Sequence, residues 1–234
     1  MAFRCLFHVH TRHSFDSLLS PRRIVARAGA LDVGALIVTD HNTIKGSLAA
    51  RELVSKDVSL IPVAAEYQSE KGDVIGLFLR DEVRSRQSSE IIEQIRAQGG
   101  LVLLPHPFKG HKLDDALLSS VDLIETYNAR CSIEDNNRAS ALAKKWQLPT
   151  IAGADAHCFA ELGAAINEYP GPAPRSEPQL RQMLLQGNQT FVAHPASPLC
   201  QPYSQMIKAV KTKQPGLFLY QAKRLALALA RGGR

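Results

Sequence analysis

Three features are scarce or missing in this 234-residue sequence, and each absence excludes a class of protein. The four cysteines lie far apart and form no C-x-x-C pair, so we expect reduced thiols in a cytoplasmic protein rather than a disulfide framework. No apolar run approaches the roughly 18 residues of a membrane span, and the first apolar stretch is too short for a signal peptide. Internal repeats and low-complexity tracts are also missing. These absences predict an ordinary globular protein with no transmembrane segment.

Acidic residues are missing from one end of the chain. From Tyr203 onward there are seven basic residues and no acidic residue, so this segment carries a charge of +7. The whole chain carries +6, which leaves −1 for the remainder. The pI of 9.3 therefore describes the C-terminal segment, and the rest of the chain is not a basic nucleic-acid binder by composition.

The remainder alternates short apolar runs with helical patterns. The runs are mostly continuous, as expected for strands buried on both faces, and repeated strand–helix units indicate a mostly parallel sheet. Such units in about 160 residues fit a small closed or nearly closed α/β barrel better than a long open sheet. The predicted strands are FRCLF, ALIVT, VSLIPVAAE, DVIGLFL, LVLLP, VDLIET and PTIAGAD.

Capping and loop residues mark the element boundaries. Ser20 is predicted as the N-cap of the first helix, with Pro21 at its first position. A proline-rich loop, EYPGPAPRSEPQ, precedes a helix that ends at Gly187, and a loose stretch, AHPASPLCQPYS, leads into the basic segment. We predict a main domain over residues 1–195, followed by a linker and basic amphipathic tail over residues 196–234.

Histidines are concentrated at the predicted strand ends. Three of the eight lie in the opening stretch FHVHTRHSFDS, and five of the eight follow a predicted strand. Carboxylates occupy the same kind of position. Because the carboxyl ends of barrel strands converge on one face, these distant side chains should meet in one pocket. They are His8, His10, Asp16, His41, Glu66, His106, Asp155 and His157.

The spacing within this set indicates metal ligation. Residues i and i+2 of an extended chain point to the same side, so His8 and His10 can bind one ion, and Asp155 and His157 share this arrangement. Imidazole nitrogen mixed with carboxylate oxygen suits zinc, manganese or iron. Several carboxylates in one pocket repel each other and are costly to desolvate, so divalent ions should be required.

Six segments carry a further pattern: FHVHTRHSFDS, VTDHNT, VAAEY, DVIGLFL, LPHPF and AGADAH, within residues 3–163. In this order they resemble the motifs of the PHP (polymerase and histidinol phosphatase) family of metal-dependent phosphoesterases. The branch that the sequence resembles most contains short stand-alone enzymes related to bacterial nucleoside phosphatases and 5′ to 3′ exonucleases. The resemblance implies a distorted seven-stranded barrel of the PHP type. It also implies two or three divalent ions, of manganese, zinc or iron, with magnesium possible.

Carried over residue by residue, the resemblance implies three groups of ligands. Two positions depart from the family pattern, because Leu6 stands where an aspartate is common and Asp73 where a histidine is common. The second ion should therefore be harder, since oxygen replaces nitrogen in its site. The implied groups are His8, His10, Glu66 and Asp155 for one ion; Glu66, Asp73 and His106 for a second; and Asp16, His41 and His157 for a third.

The implied reaction is hydrolysis at phosphorus by a water that bridges two ions and loses its proton near neutral pH. Asp40 is predicted to orient the His41 ring, and His13 to approach the substrate. Lys109 and Arg130 are predicted phosphate clamps. The predicted substrates are phosphate esters of nucleotides or short oligonucleotides. Histidinol phosphate-type small phosphomonoesters are one alternative, and a non-catalytic metal-stabilised scaffold or binding module is another.

The basic tail leaves three interpretations open. The segment PGLFLYQAKRLALALARGGR places Phe218, Ala222, Leu225 and Leu229 at helical spacing. A terminal helix packed on the main domain, a membrane-surface helix and a weak nucleic-acid contact are all compatible with this pattern. The apolar stripe favours a membrane or a protein partner over nucleic acid.

Overall fold

The fold is a mixed sheet with helices packed around it. The computed structural model describes residues 2–232, without the side chains of residues 231 and 232. Its strands are β1 (Phe3–Val9), β2 (Ala35–Val38), β3 (Ala64–Ser69), β4 (Gly72–Leu77), β5 (Leu101–Leu104), β6 (Leu123–Asn128), β7 (Thr150–Ala156), β8 (Ala165–Tyr169) and β9 (Thr190–Ala193). Its helices are α1 (Pro21–Ala30), α2 (Lys45–Arg51), α3 (Ser88–Ala97), α4 (Asp115–Leu118), α5 (Ile133–Trp146), α6 (Glu177–Gln186), α7 (Cys200–Lys211) and α8 (Pro215–Gly232).

The sheet has the strand order β3-β4-β5-β6-β7-β1-β8-β9, and β2 pairs with β1. Four strand pairs are parallel and four are antiparallel. The prediction of an α/β fold is confirmed, but the prediction of a mostly parallel sheet is wrong. One reason is that β3 and β4 are separated only by Glu70 and Lys71, and so short a turn can join only antiparallel strands.

All seven predicted strand segments overlap observed strands, and two further strands extend the sheet. β8 pairs with the beginning of β1, and β9 pairs with β8. β9 was not predicted because its residues are largely exposed and so lack the apolar run of a buried strand. The prediction for β3 was shifted: residues 58–63 of the predicted segment precede the strand. Leu60 forms a bridge to Ala35 of β2, and Glu66 of β3 forms a bridge to His41. Closure into a seven-stranded barrel stays a prediction.

The strands share one buried cluster. Phe7, Ile37 and Ile75 contact it from three different strands, and α6 adds Leu180 and Leu184. Neighbouring residues on the same strands pack the other way, against the helices. Both faces of the sheet are therefore covered by apolar packing. The polar side chains lie at the strand ends, over one end of this core.

The helices follow their capping signals at several ends. Ser20 caps α1 by accepting a hydrogen bond from the Arg23 N–H, and Pro21 opens the helix, as predicted. α6 ends at Gly187, whose φ is 62°. α7 was not predicted, because it begins inside the loose stretch AHPASPLCQPYS, whose prolines indicated a linker. Pro202 is in fact tolerated because it lies in the first turn of α7.

The predicted tail helix is present as α8. Its side chains at Phe218, Ala222 and Leu225 are half-buried, whereas Leu229 is 57% exposed. Arg234 and the side chain of Arg231 lie outside the described residues. Of the helices that are described, none combines the length and the apolar character needed to cross a membrane. The division after residue 195, the membrane contact and the nucleic-acid contact stay predictions.

Candidate metal centre

Eight of the nine predicted ligands come together at one end of the sheet. His8 lies near the end of β1, His41 just after β2 and His106 just after β5. Glu66 lies inside β3 rather than after it. It reaches the same level because its N–H donates to the carbonyl of Asp40, just past β2. Donor atoms within 4.8 Å of one another form the groups His10, Asp16, His41 and His157; His8, Glu66 and His106; and His8, His10 and Asp155.

The separations between these donors suit shared ions. His8 Nε2 lies 3.4 Å from Glu66 Oε1 and 3.7 Å from Asp155 Oδ1. His10 Nε2 lies 3.6 Å from oxygens of both carboxylates. Such distances are too long for good hydrogen bonds. However, two ligands each about 2.1 Å from one tetrahedral ion lie about 3.4 Å apart. The donor set therefore fits divalent ions.

Hydrogen bonds fix which nitrogen of two rings faces the cluster. His8 Nδ1–H donates to Glu125 Oε1 at 2.8 Å, and His157 Nδ1–H donates to the carbonyl of Asp155 at 2.8 Å. In the neutral form of both rings Nε2 is then the acceptor, which is the form a metal needs. Gly153 makes room for Glu125, since a Cβ there would overlap the Glu125 carboxylate.

Buried ring nitrogens give a further test of metal binding. Among residues 2–232, His8 Nε2 and both nitrogens of His10 lack a hydrogen-bond partner. The same holds for His41 Nδ1 and His106 Nδ1. A buried polar atom without a partner costs about 1–3 kcal/mol. A metal ion bound within the cluster would supply the missing partner for His8 Nε2 and His10 Nε2.

Charges in the centre shift the pKa values in both directions. Burial and the neighbouring His157 lower the pKa of His10 to about 3, which keeps this ring neutral. Burial opposes the charged form of His41, but Glu66 and Asp16 raise its pKa to about 9. Burial likewise opposes ionisation of Glu66, yet the His8 and His41 rings hold its pKa well below the usual range. A divalent ion that binds the His41 ring must therefore displace a proton near neutral pH.

Asp73 is the predicted ligand that the structure does not bring into a donor group. It lies on β4 and contributes to the wall of the cleft. Burial and the Glu66 carboxylate raise the pKa of Asp73 to about 6, so the two carboxylates sense each other. The carbonyl of Asp73 accepts a hydrogen bond from His111 Nε2 at 2.8 Å. Ligation by Asp73 stays a prediction.

Asp40 does not have the predicted contact with the His41 ring. Its carboxylate accepts hydrogen bonds from the N–H and the hydroxyl of Thr11, each at 2.6 Å. It is directed toward the loop after β1, while the His41 ring turns to Asp16 and Glu66. The structure thus corrects the expectation: Asp40 positions the loop that carries Asp16.

The remaining predicted residues fall in different places. His13 is exposed and does not line the cleft. Lys109 Nζ lies 3.2 Å from Asp155 Oδ2 at the cleft wall. Arg130 also borders the cleft, but its Nε donates to Glu161 Oε1 at 2.6 Å and its Nη2 to Glu161 and Ser204. The roles of Lys109 and Arg130 as phosphate clamps stay predictions.

Two buried carboxylates were missed by the sequence analysis. Glu125 accepts from His8 and from the N–H of His106. Glu161 accepts from Arg130 and from the N–H groups of His157 and Cys158. Glu125 carried a signal, because it is a charged residue inside the apolar run VDLIET. Glu161 carried none.

Cys158 and Cys200 lie far apart in the sequence, and the structure brings them together. Their sulfurs lie 3.0 Å apart beside Glu161. Both Glu161 oxygens already accept hydrogen bonds, so this group is structural rather than a further metal site.

Three ligands have left-handed backbone conformations. The φ angles are 62° at His8, 25° at His106 and 48° at Asp155. The pairing of β1 with β2 and with β7 shifts register around His8. Residues other than glycine adopt such angles at a cost of about 1–3 kcal/mol each. Interactions with the surrounding structure must therefore offset this strain energy at His8, His106 and Asp155.

Six of the eight grouped residues line a cleft of about 230 Å³: Asp16, His41, Glu66, His106, Asp155 and His157. Phe15, Lys109, Arg130, Gln205 and Lys208 contribute to its walls. The last two come from α7, so the C-terminal segment takes part in the site.

The chain is similar in sequence to one family model and to several known proteins. The family model described as PHP-associated matches residues 134–188. The uncharacterised protein MJ1587 of Methanocaldococcus jannaschii is 30% identical over 138 residues, which cover 52% of this chain and 81% of that protein. The 5′-3′ exoribonuclease Rnm of Salmonella typhimurium is 37% identical over 76 residues, which cover 30% of this chain but only 26% of that protein.

A solved structure has the same fold. It is a two-domain protein from Bacteroides vulgatus that contains a predicted PHP-like metal-dependent phosphoesterase. The TM-score is 0.71 at 17% identity, with 83% of this chain and 65% of that chain covered. With the six ordered motifs and the His/Asp/Glu clusters that fit divalent metal binding, these similarities lead to one conclusion: the chain belongs to the PHP family.

Proposed function

We propose that this chain is a cytoplasmic, metal-dependent phosphoesterase with a distorted seven-stranded barrel, and that it hydrolyses phosphate esters of nucleotides or short oligonucleotides. The observation that supports this most is the convergence of eight potential nitrogen and oxygen ligands, six of which line one cleft together with Lys109, Arg130 and Lys208. Similarity to a 5′-3′ exoribonuclease over part of its length supports the choice of substrate.

Divalent ions bound by the predicted ligand groups would neutralise phosphoryl oxygens and lower the pKa of a water ligand. The chain itself positions what surrounds them. Glu125 holds the proton of His8 on Nδ1, and Asp40 fixes Thr11 in the loop that carries Asp16. Lys109 places a positive charge beside Asp155, where it can attract a phosphate dianion.

The test is hydrolysis after removal and replacement of metal. Protein stripped with a chelator and reloaded with manganese should release phosphate from 4-nitrophenyl phosphate and nucleotides from a 5′-phosphorylated oligonucleotide. His8→Ala and Asp155→Ala should each lower the rate by at least about 100-fold and lower the bound metal measured by elemental analysis. The exposed residues His194 and Asp57 give matched controls, and His194→Ala and Asp57→Ala should match the wild type. Equal rates in all four variants would remove the enzyme assignment and favour a scaffold.

A small phosphomonoester of the histidinol phosphate type is the second candidate. The cleft volume of about 230 Å³ favours it, since ligand pockets usually enclose about 300–1,000 Å³. A higher kcat/KM on small phosphomonoesters than on oligonucleotides would select this candidate.

A further inference from the structure

The cationic side chains of the cleft differ in whether a carboxylate already balances their charge. Lys109 pairs with Asp155, and Arg130 pairs with Glu161. Lys208 has no ion-pair partner within residues 2–232. Its charge is therefore available to an anion that enters the cleft.

Lys208 lies beside the ligand cluster without being part of it. Phe15 stacks on His41 with ring centroids 4.5 Å apart and an angle of 6° between the planes. Lys208 Nζ lies 4.9 Å from the centre of the same Phe15 ring. Gln205, one helical turn earlier, also borders the cleft and adds an amide donor on the same face.

The helix that carries these two residues is fixed at both ends. Near its start, Arg130 Nη2 donates to the carbonyl of Cys200 at 3.4 Å and to Ser204 Oγ at 3.2 Å. At its end, Lys211 Nζ donates to the carbonyl of Ser14 at 2.7 Å. Donors on a fixed helix lose little freedom when they bind a ligand.

We propose that Lys208 and Gln205 form a subsite for a second anionic group of the substrate, the phosphate next to the ester that is cleaved. This inference rests on the proposed function. The cleaved phosphoryl group would lie over the ligand cluster, near Lys109, and Lys208 would meet the next phosphate along the strand. The subsite would thus select oligonucleotides over simple phosphomonoesters.

The test compares two substrates in the manganese-loaded protein: a 5′-phosphorylated dinucleotide and 4-nitrophenyl phosphate. Lys208→Ala should raise KM for the dinucleotide by about 10-fold to 100-fold, with kcat for it and both constants for the aryl phosphate within about 3-fold of the wild type. Lys208→Arg should restore most of the affinity. The slope of log KM against log salt for the dinucleotide should fall by about 0.7 in Lys208→Ala. The exposed Lys223 on α8 gives the control Lys223→Ala, which should change none of these values.

Three results would overturn the subsite: an equal loss on both substrates, an unchanged KM for the dinucleotide, or an unchanged salt slope. If the wild type hydrolyses neither substrate, the proposed function fails, and calorimetric binding of the dinucleotide decides on the subsite separately. Weaker binding to Lys208→Ala than to the wild type then supports it. Equal binding, or no binding to the wild type, overturns it.

Discussion

The two helices of the basic C-terminal segment, α7 and α8, contact the rest of the protein in different ways. Lys211 at the end of α7 donates to the carbonyls of Arg12, Ser14 and Ser17, at 2.9, 2.7 and 2.8 Å. All three belong to the loop that carries Asp16. On α8, by contrast, Leu219, Leu227 and Leu229 remain 69%, 50% and 57% exposed.

The difference shows that the basic residues of the two helices do not share one structural role. In α7 the charge is directed at particular acceptors, three loop carbonyls for Lys211 and the cleft for Lys208. In α8 the basic residues Lys223 and Arg224 are exposed beside apolar side chains. The three interpretations of the tail concern α8, and the packed helix, the membrane contact and the nucleic-acid contact all stay predictions.

The largest difference between the two helices should be seen in phosphatase activity when each is removed. A chain that ends at Ser197 should lose at least about 100-fold in phosphatase activity, because misplacing ligands by about 1 Å can have that effect and the Asp16 loop loses Lys211. A chain that ends at Gln214 keeps α7 and should stay within about 3-fold of the wild type. Circular dichroism would establish that both chains fold. Equal losses in the two chains would contradict the comparison.

Breaking the ion pair that anchors the start of α7 should have the next largest effect. Arg130 and Glu161 are only 5% and 0% exposed, so Arg130→Ala leaves a buried carboxylate without its partner. We expect the free energy of unfolding in urea to fall by about 3–5 kcal/mol. Arg138→Ala is the matched control, because the pair of Arg138 with Asp135 is 54% and 32% exposed and should contribute about 1 kcal/mol or less. Similar losses in both variants would show that Arg130 is not an anchor.

At the other end of α7, Lys211→Met should have a smaller effect. Three loop carbonyls lose a donor, and we expect a loss of about 1–2 kcal/mol in the free energy of unfolding, measured by urea denaturation. Lys211→Arg should recover part of this stability. Lys223→Met on α8 should have no measurable effect, and a loss equal to that of Lys211→Met would contradict the distinction between the helices.

The smallest effect on the free energy of unfolding should come from truncating an apolar side chain of α8. Leu229→Ala should change the free energy of unfolding by less than about 0.5 kcal/mol, as expected for an exposed position. Ile207→Ala on α7, where the side chain is 7% exposed, should lower it by about 2–4 kcal/mol. Thermal and urea unfolding would measure both, and equal changes would mean that α8 also packs tightly.

Much of this arrangement could be predicted, because it depends on local signals. The predicted N-cap Ser20 begins α1, and the seven predicted strand segments overlap β1 to β7. The convergence of His8, His41 and Asp155 follows from donors placed at strand ends. Residue type and strand position are both visible in a single sequence.

The rest depends on pairings between distant residues, which no local pattern marks. Arg130 and Glu161 are 31 positions apart, and Lys211 lies 197 positions from Ser14. The predicted contact of Asp40 with His41 differed for the same reason, since Thr11 competes for that carboxylate from another loop. Each pairing is decided only when packing brings the elements together.

The left-handed backbone at His8, His106 and Asp155 has a consequence for engineering. Glycine adopts positive φ angles without steric strain, so glycine substitutions at these three positions should relax the backbone while deleting the donors. The deleted side chain would also leave a cavity in a buried site, and that cost is at least as large as the relieved strain. A selection at these positions must therefore score stability and metal-dependent activity separately.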